Sequence, residues 1–107
     1  MSYLHIPNLY RAQDILAFRE CFALEKVHGT SAPVAGRDGA VKFFSGGEKP
    51  ARFAARFDAE ALAQWFAALG HDSVVVFGEA YGGSQQGQSW RYGKALKFVA
   101  FEVKIGD

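Results

Sequence analysis

Apolar residues recur along this chain at two spacings, and two segments have the spacing of a helix. Residues 8–19 predict a short helix or turn. Residues 58–70 predict a longer helix that begins at Asp58, since aspartate is a preferred N-cap residue, and ends near Gly70. One face of this helix is expected to carry its large apolar residues, which are Leu62, Trp65, Phe66 and Leu69.

The other apolar segments are shorter and have the alternation or the valine-rich composition of strands. Asp38-Gly39 predicts the tight turn of a hairpin, because this pair readily adopts positive φ. Polar, glycine-rich stretches at residues 46–50 and 82–93 predict connections. Since the strands mostly follow one another without crossover helices, we expect an α+β domain with a mainly antiparallel sheet and flanking helices. The predicted strands span residues 20–26, the two arms of a hairpin within residues 30–45, residues 73–79 and residues 95–105.

Composition narrows the class of protein only moderately. With 107 residues, of which 50% are hydrophobic, the chain is expected to form one domain with a modest core. A formal net charge of +1 does not mark an electrostatic binder of nucleic acid. The single cysteine, Cys21, is interpreted as a buried strand residue of a protein from a reducing compartment. Because neither a signal peptide nor an apolar run of ~20 residues is present, we expect a cytoplasmic protein with no membrane contact.

Alternation along the first predicted strand suggests a buried lysine. Phe22, Leu24 and Lys26 would share one face, so Lys26 would end a row of side chains that points into the core. Burial favours the neutral amine, which is the nucleophilic form of lysine. Gly29 follows shortly after and would let the backbone approach a ligand closely.

A carboxylate and an aromatic residue occupy similar places on two later strands. Glu79 ends an apolar row on the strand at residues 73–79, and Phe101 is expected to share a face with Val99, Val103 and Ile105. A lysine, a carboxylate and an aromatic ring would then lie at one edge of a sheet. The same pattern also allows a purely structural interpretation, in which Lys26 and Glu79 form a buried salt bridge and Phe101 is an ordinary core residue.

Three segments together resemble the motifs of covalent nucleotidyltransferases. The first has the K-x-H-G-T form typical of ATP-dependent RNA ligases, both the nick-sealing phage type and the RNA-editing ligases, whereas DNA ligases usually carry K-x-D-G. The resemblance covers residues 20–105, and the motifs occur in the family's order. Motifs I, III and IIIa correspond to Glu25-Lys26-Val27-His28-Gly29-Thr30, Val76-Phe77-Gly78-Glu79 and Lys97-Phe98-Val99-Ala100-Phe101-Glu102-Val103.

This resemblance implies a fold and a reaction. Residues 1–107 would be a single domain, the N-terminal portion of the nucleotidyltransferase (ATP-grasp-like) ligase fold. With ATP and Mg²⁺, Lys26 would form a lysyl-AMP intermediate, from which AMP passes to an RNA 5′-phosphate before strand joining. The substrates would be the ends of nicked or broken RNA.

The resemblance also implies residue roles at the nucleotide. Glu79 would bind the ribose hydroxyls, and Phe101 would stack on the adenine. Glu25 would lie beside the base, and His28 would help to arrange the phosphates. No protein residue is assigned as a metal ligand. The complete set implied for nucleotide binding is Glu25, Val27, His28, Gly29, Glu79 and Phe101.

The sequence departs from the family's pattern in three respects. Phe44-Ser45-Gly46-Gly47 lies where nick-sealing members often have an arginine, and Ser31 stands where an asparagine commonly follows the threonine of motif I. Motif IV, a glutamate-glycine segment, and motif V, a lysine pair, do not occur in the 107 residues. Four possibilities stay open: a module of a longer ligase, a domain completed by a second copy or another chain, a catalytically incomplete nucleotide- or RNA-binding remnant, and a structural interaction protein. DNA ligase or GTP-dependent capping chemistry would share the lysine mechanism, and His28 argues against a DNA ligase.

Overall fold

The computed structural model describes residues 3–46, 50–83 and 89–106. Within those ranges, no helix has the length and apolarity needed to cross a membrane. The predicted connections at residues 46–50 and 82–93 lie partly outside the described residues. The strands are β1 (Thr30–Ser31), β2 (Val34–Arg37), β3 (Ala40–Phe43), β4 (Ser73–Gly82) and β5 (Leu96–Ile105), the α-helices are α1 (Pro50–Ala54) and α2 (Ala59–Ala68), and 3₁₀ turns span Asp14–Ala17 and Ser89–Tyr92.

Strand β4 organises the sheet. It pairs with β5 over nearly its whole length, from Val74 opposite Ile105 to Gly82 opposite Leu96. Its other edge pairs with β1 and β2 in succession, and β2 continues to β3. All of these pairings are antiparallel, and the sheet curls into a half-barrel accompanied by two short helices. The predicted α+β class with a mainly antiparallel sheet is therefore confirmed.

The two helices cover one face of the sheet and enclose the main core there. Phe53 of α1 is fully buried, as is Val74 of β4, and Phe66 of α2 is 5% exposed. A Cβ atom at Gly36 of β2 would lie only 2.5 Å from the Phe66 ring, so the helix packs directly on backbone. The aromatic rings that pack between the helices and the sheet, with centroids 5.1 to 6.1 Å apart, belong to Phe43, Phe53, Phe57 and Phe98.

Two local predictions are confirmed in detail. The Asp58 side chain accepts a hydrogen bond from the backbone N–H of Ala61 at 3.0 Å, which is the expected N-cap of α2. Asp38 and Gly39 both have positive φ, at 51° and 79°, as a tight hairpin turn between β2 and β3 requires. Trp65 of α2 is 46% exposed, so the predicted apolar face is only partly buried.

The predicted strand over residues 20–26 is wrong. These residues have no regular secondary structure, Phe22 and Leu24 are 96% and 88% exposed, and Cys21 is exposed as well. Lys26 is also exposed, so it does not end a buried row. The physical reason is pairing, because a strand needs a partner strand, and residues 20–26 pair with none of the described strands. The helix or turn predicted for residues 8–19 reduces to a turn and one short 3₁₀ segment.

The predicted side-chain alternation of β5 is also wrong in part. Phe77 of β4 lies opposite Glu102, whereas the next residue, Gly78, lies opposite Ala100, so that Phe101 is the extra residue of a β-bulge. A bulge reverses the alternation that follows it. Val103 and Ile105 therefore share the helix-covered face with their partners Val76 and Val74, and Phe101 does not.

Candidate functional site

An open cleft of about 1200 Å³ lies on the face of the sheet that the helices leave uncovered. Its walls come from the first described residues, the segment that precedes β1, Ser31 of β1 with Pro33 after it, the end of β3 with the residues after it, and the strands β4 and β5. The lining residues are Tyr3, Leu4, His5, Ile6, Leu24, Glu25, Lys26, Val27, Ser31, Pro33, Phe43, Phe44, Ser45, Gly46, Glu79, Val99 and Phe101.

Five of the seven predicted site residues line this cleft. Glu25, Lys26 and Val27 come from one segment, Glu79 from the middle of β4 and Phe101 from the bulge of β5. Three segments that are distant in sequence thus contribute to one concave surface. The buried salt bridge between Lys26 and Glu79 is not formed, because Lys26 is exposed.

The pairing of β4 with strands on both sides determines the position of Glu79. It lies opposite Ser31 of β1 and opposite Val99 of β5, and its side chain is half-buried. Directly opposite residues of antiparallel strands share a face, so Ser31 and Val99 line the cleft together with this carboxylate.

Phe101 is held by an aromatic residue, Tyr3, that no sequence pattern singled out. The ring of Tyr3 makes an edge contact with the Phe101 ring, with centroids 5.1 Å apart, and a tilted contact with Phe77 at 5.2 Å. A hydrogen bond between the Tyr3 hydroxyl and the Glu102 carboxylate, together with desolvation, raises the pKa of Tyr3. Phe101 is nevertheless 52% exposed, so about half of its surface faces the cleft or solvent.

His28 and Gly29 do not line the cleft but anchor the segment that carries Lys26. A Cβ atom at Gly29 would lie 2.1 Å from the carbonyl oxygen of Ala80 and 3.0 Å from Cγ of Glu79, so only glycine fits against β4 there. The backbone N–H of His28 donates a hydrogen bond to the hydroxyl of Tyr92 at 3.1 Å. The predicted close approach of Gly29 is therefore made to the protein's own backbone.

The end of the hairpin, where the resemblance to RNA ligases led us to look for an arginine, supplies one wall of the cleft. Phe44, Ser45 and Gly46 line the wall there, and Phe44 is 39% exposed. The backbone N–H of Gly46 donates to the carbonyl oxygen of Ser31 at 3.2 Å, which ties this wall to β1. This wall therefore consists of an aromatic ring, a hydroxyl-bearing side chain and a glycine.

The charges that line the cleft are few. Among the described lining residues, Lys26 is the only lysine or arginine, and it lies with two carboxylates, Glu25 and Glu79, and with His5. In the described part of the chain, no group of three or more His, Cys, Asp or Glu side chains could hold a metal ion. A second, smaller cavity of about 390 Å³ between the hairpin turn and the end of α2 contains none of the predicted site residues.

No protein-family model, curated protein or solved structure matches this chain. The interpretation of the cleft therefore depends on the residues that line it and on the motifs to which they belong.

Proposed function

We propose that this chain is a module of an ATP-dependent RNA ligase, in which Lys26 carries AMP as a covalent intermediate. The observation that supports the proposal is the cleft, where Lys26, Glu79 and Phe101 converge from three segments. These are the residues that the motif resemblance assigns to the nucleophile, the ribose and the adenine. We also propose that this domain is the N-terminal part of the nucleotidyltransferase (ATP-grasp-like) ligase fold.

In the proposed reaction, the neutral amine of Lys26 attacks the α-phosphorus of ATP. A phosphorus–nitrogen bond forms while the bond from that phosphorus to the bridging oxygen breaks, pyrophosphate leaves, and the nitrogen loses its proton to solvent. A 5′-phosphate oxygen of RNA then attacks the same phosphorus and releases the lysine. The accessible position of Lys26 at the cleft suits a nucleotide that enters from solvent.

The remaining cleft residues suit the parts of the nucleotide that do not react. The exposed half of the Phe101 ring offers an apolar surface on which adenine can stack. The half-buried carboxylate of Glu79 can accept hydrogen bonds from ribose hydroxyls. Glu25 and Val27 would lie beside the base, while His28 and Gly29 would act through the conformation of their segment.

The negative charge of the triphosphate is the reason why we propose that Mg²⁺ binds together with ATP. The described lining residues include one lysine and two glutamates, which do not compensate the charge of a triphosphate. Mg²⁺ typically binds substrate phosphates together with water and at most one or two carboxylates. Bound in this way with ATP, it would neutralise the phosphate charge that opposes attack on the α-phosphorus.

A second candidate function is a nucleotide- or RNA-binding remnant that no longer turns over. The exposure of Lys26 favours it, because the burial that we expected around the nucleophile is absent. We also propose that another polypeptide, a second copy or a different chain, completes the domain. Among the described residues β5 pairs with β4 alone, which leaves its outer edge free to add a strand.

The first experiment is incubation of the chain with α-labelled ATP and Mg²⁺, followed by denaturing electrophoresis and mass spectrometry. We expect one AMP per chain on Lys26 and loss of the label in Lys26→Ala. Lys26→Ala should keep the fold, since Lys26 is exposed and lies outside the strands. Lys42→Ala is the matched control, because Lys42 is an exposed lysine on β3 that does not line the cleft.

The outcomes separate the two candidate functions. Label that persists in Lys26→Ala would exclude this lysine as the nucleophile. An unlabelled wild-type chain that still binds ATP, measured by calorimetry, would favour the binding remnant. A chain that does not become labelled and binds neither ATP nor RNA would refute both candidates.

A further inference from the structure

Tyr92 contacts each of the three segments that carry the predicted site residues of the cleft. Its hydroxyl oxygen accepts a hydrogen bond from the backbone N–H of His28 at 3.1 Å, two residues after Lys26. Its ring makes an edge contact with that of Tyr81, with centroids 5.3 Å apart and planes at 85°. Its carbonyl oxygen accepts a hydrogen bond from Nζ of Lys97 at 3.1 Å.

These contacts lie close to the proposed nucleotide ligands along each strand. Tyr81 follows Glu79 by two residues on β4, and Lys97 precedes Phe101 by four residues on β5. The carbonyl oxygen of Gly93 also accepts a hydrogen bond from the N–H of Gly83 at 3.0 Å, which fixes the backbone directly after Tyr92. Tyr92 is therefore attached to the two strands and holds the segment before β1 through its hydroxyl.

That segment has few other attachments. Residues 20–28 have no regular secondary structure, and most of their side chains are exposed. A lysine on such a segment would occupy many positions, because side-chain burial does not restrict it. The hydrogen bond from the backbone N–H of His28 to Tyr92 restricts the backbone two residues after Lys26, and with it the position of Lys26.

We propose that Tyr92 is a positioning residue for Lys26: its hydroxyl holds the loop at His28 so that the amine meets the nucleotide in the cleft. The proposal rests on the proposed adenylylation of Lys26. Tyr92 does not line the cleft, so its effect is on the placement of the nucleophile and not on ATP binding.

Tyr92→Phe tests this role, because it removes the acceptor and keeps the ring against Tyr81. We expect exchange of the His28 amide hydrogen to become several-fold faster, with amides of β4 and β5 unchanged. The rate constant of lysyl-AMP formation at saturating ATP should fall by about two- to tenfold, as expected for the loss of one hydrogen bond, at unchanged KM for ATP. Tyr81→Phe is the matched control, since it removes a hydroxyl from the neighbouring ring and leaves the acceptor in place.

The readouts distinguish this inference from the proposed function. A labelled wild type with Tyr92→Phe labelled at the same rate would overturn the positioning role and leave the ligase proposal intact. Unchanged exchange at His28 would overturn the hydrogen bond as a constraint on the loop. A wild-type chain that cannot be labelled would overturn the ligase proposal. Faster exchange at His28 in Tyr92→Phe would then show that the hydrogen bond between His28 and Tyr92 is a structural contact only.

Discussion

Gly29→Ala should separate the position of the lysine loop from the stability of the fold. The added Cβ would lie 2.1 Å from the carbonyl oxygen of Ala80, a backbone atom in the paired part of β4. To bring the two atoms to 3.0 Å, the loop must retreat by about 0.9 Å. The same Cβ would lie 3.0 Å from Cγ of Glu79, so the substitution also crowds this side chain.

A displacement of this size has a large expected effect on a covalent step. A shift of about 1 Å in a reacting group can reduce a rate by roughly a hundredfold, and we expect that reduction for lysyl-AMP formation in Gly29→Ala. The free energy of unfolding should fall by only about 1–3 kcal/mol, the usual cost of overpacking. The rate is measured by single-turnover labelling with α-labelled ATP, and stability by urea denaturation.

Gly46→Ala is the control for this experiment. Gly46 also lies at the cleft, but its added Cβ would lie 3.2 Å from Cγ2 of Thr30, which a small movement relieves, and at an ordinary contact distance of 3.8 Å from the carbonyl oxygen of Ser31. We expect labelling near the wild-type rate. Folded Gly29→Ala that is labelled as fast as wild type would show that the loop position does not control Lys26. Equal losses in both variants would indicate a general distortion of the cleft.

Two further predictions concern stability. Phe53→Ala should lower the free energy of unfolding by about 3–5 kcal/mol in urea, because Phe53 is fully buried, whereas Phe101→Ala at a 52% exposed position should cost clearly less. The raised pKa of Tyr3 means that the folded chain holds this proton more tightly than the unfolded chain, so the stabilisation is complete below about pH 10 and is lost as pH rises through the folded-state pKa. The stability difference between wild type and Tyr3→Phe should therefore shrink above that pH, and parallel stability curves in strong alkali would contradict the assignment.

The features predicted correctly from the sequence are those that depend on local structure. The cap at Asp58 and the turn at Asp38-Gly39 each involve residues within three positions of one another, so the pattern that forms them is visible in the sequence. The long strands β4 and β5 are equally visible, because valine-rich and alternating runs of that length favour extended structure.

The features that were predicted wrongly depend on pairing. Phe22 and Leu24 alternate as they would in a strand, but a strand also requires a partner edge, which alternation does not reveal. For the same reason, the sequence alone could not identify Tyr3 and Tyr92 as residues that hold the site. Tyr92 lies 64 positions from His28, and Tyr3 lies nearly the whole chain away from Phe101.

The bulge at Phe101 explains how β5 serves the core and the cleft at once. With uninterrupted pairing, Glu102 and Lys104 would face the helices, and Val103 and Ile105 would face the cleft. The extra residue reverses this order, which keeps both charges out of the core and sets Val103 and Ile105 opposite core valines. It also leaves Phe101 and Glu102 on the same face, where both contact Tyr3. The bulge thus keeps Glu102 and Lys104 away from the helix-covered core, and it gives the proposed adenine-stacking ring its aromatic support.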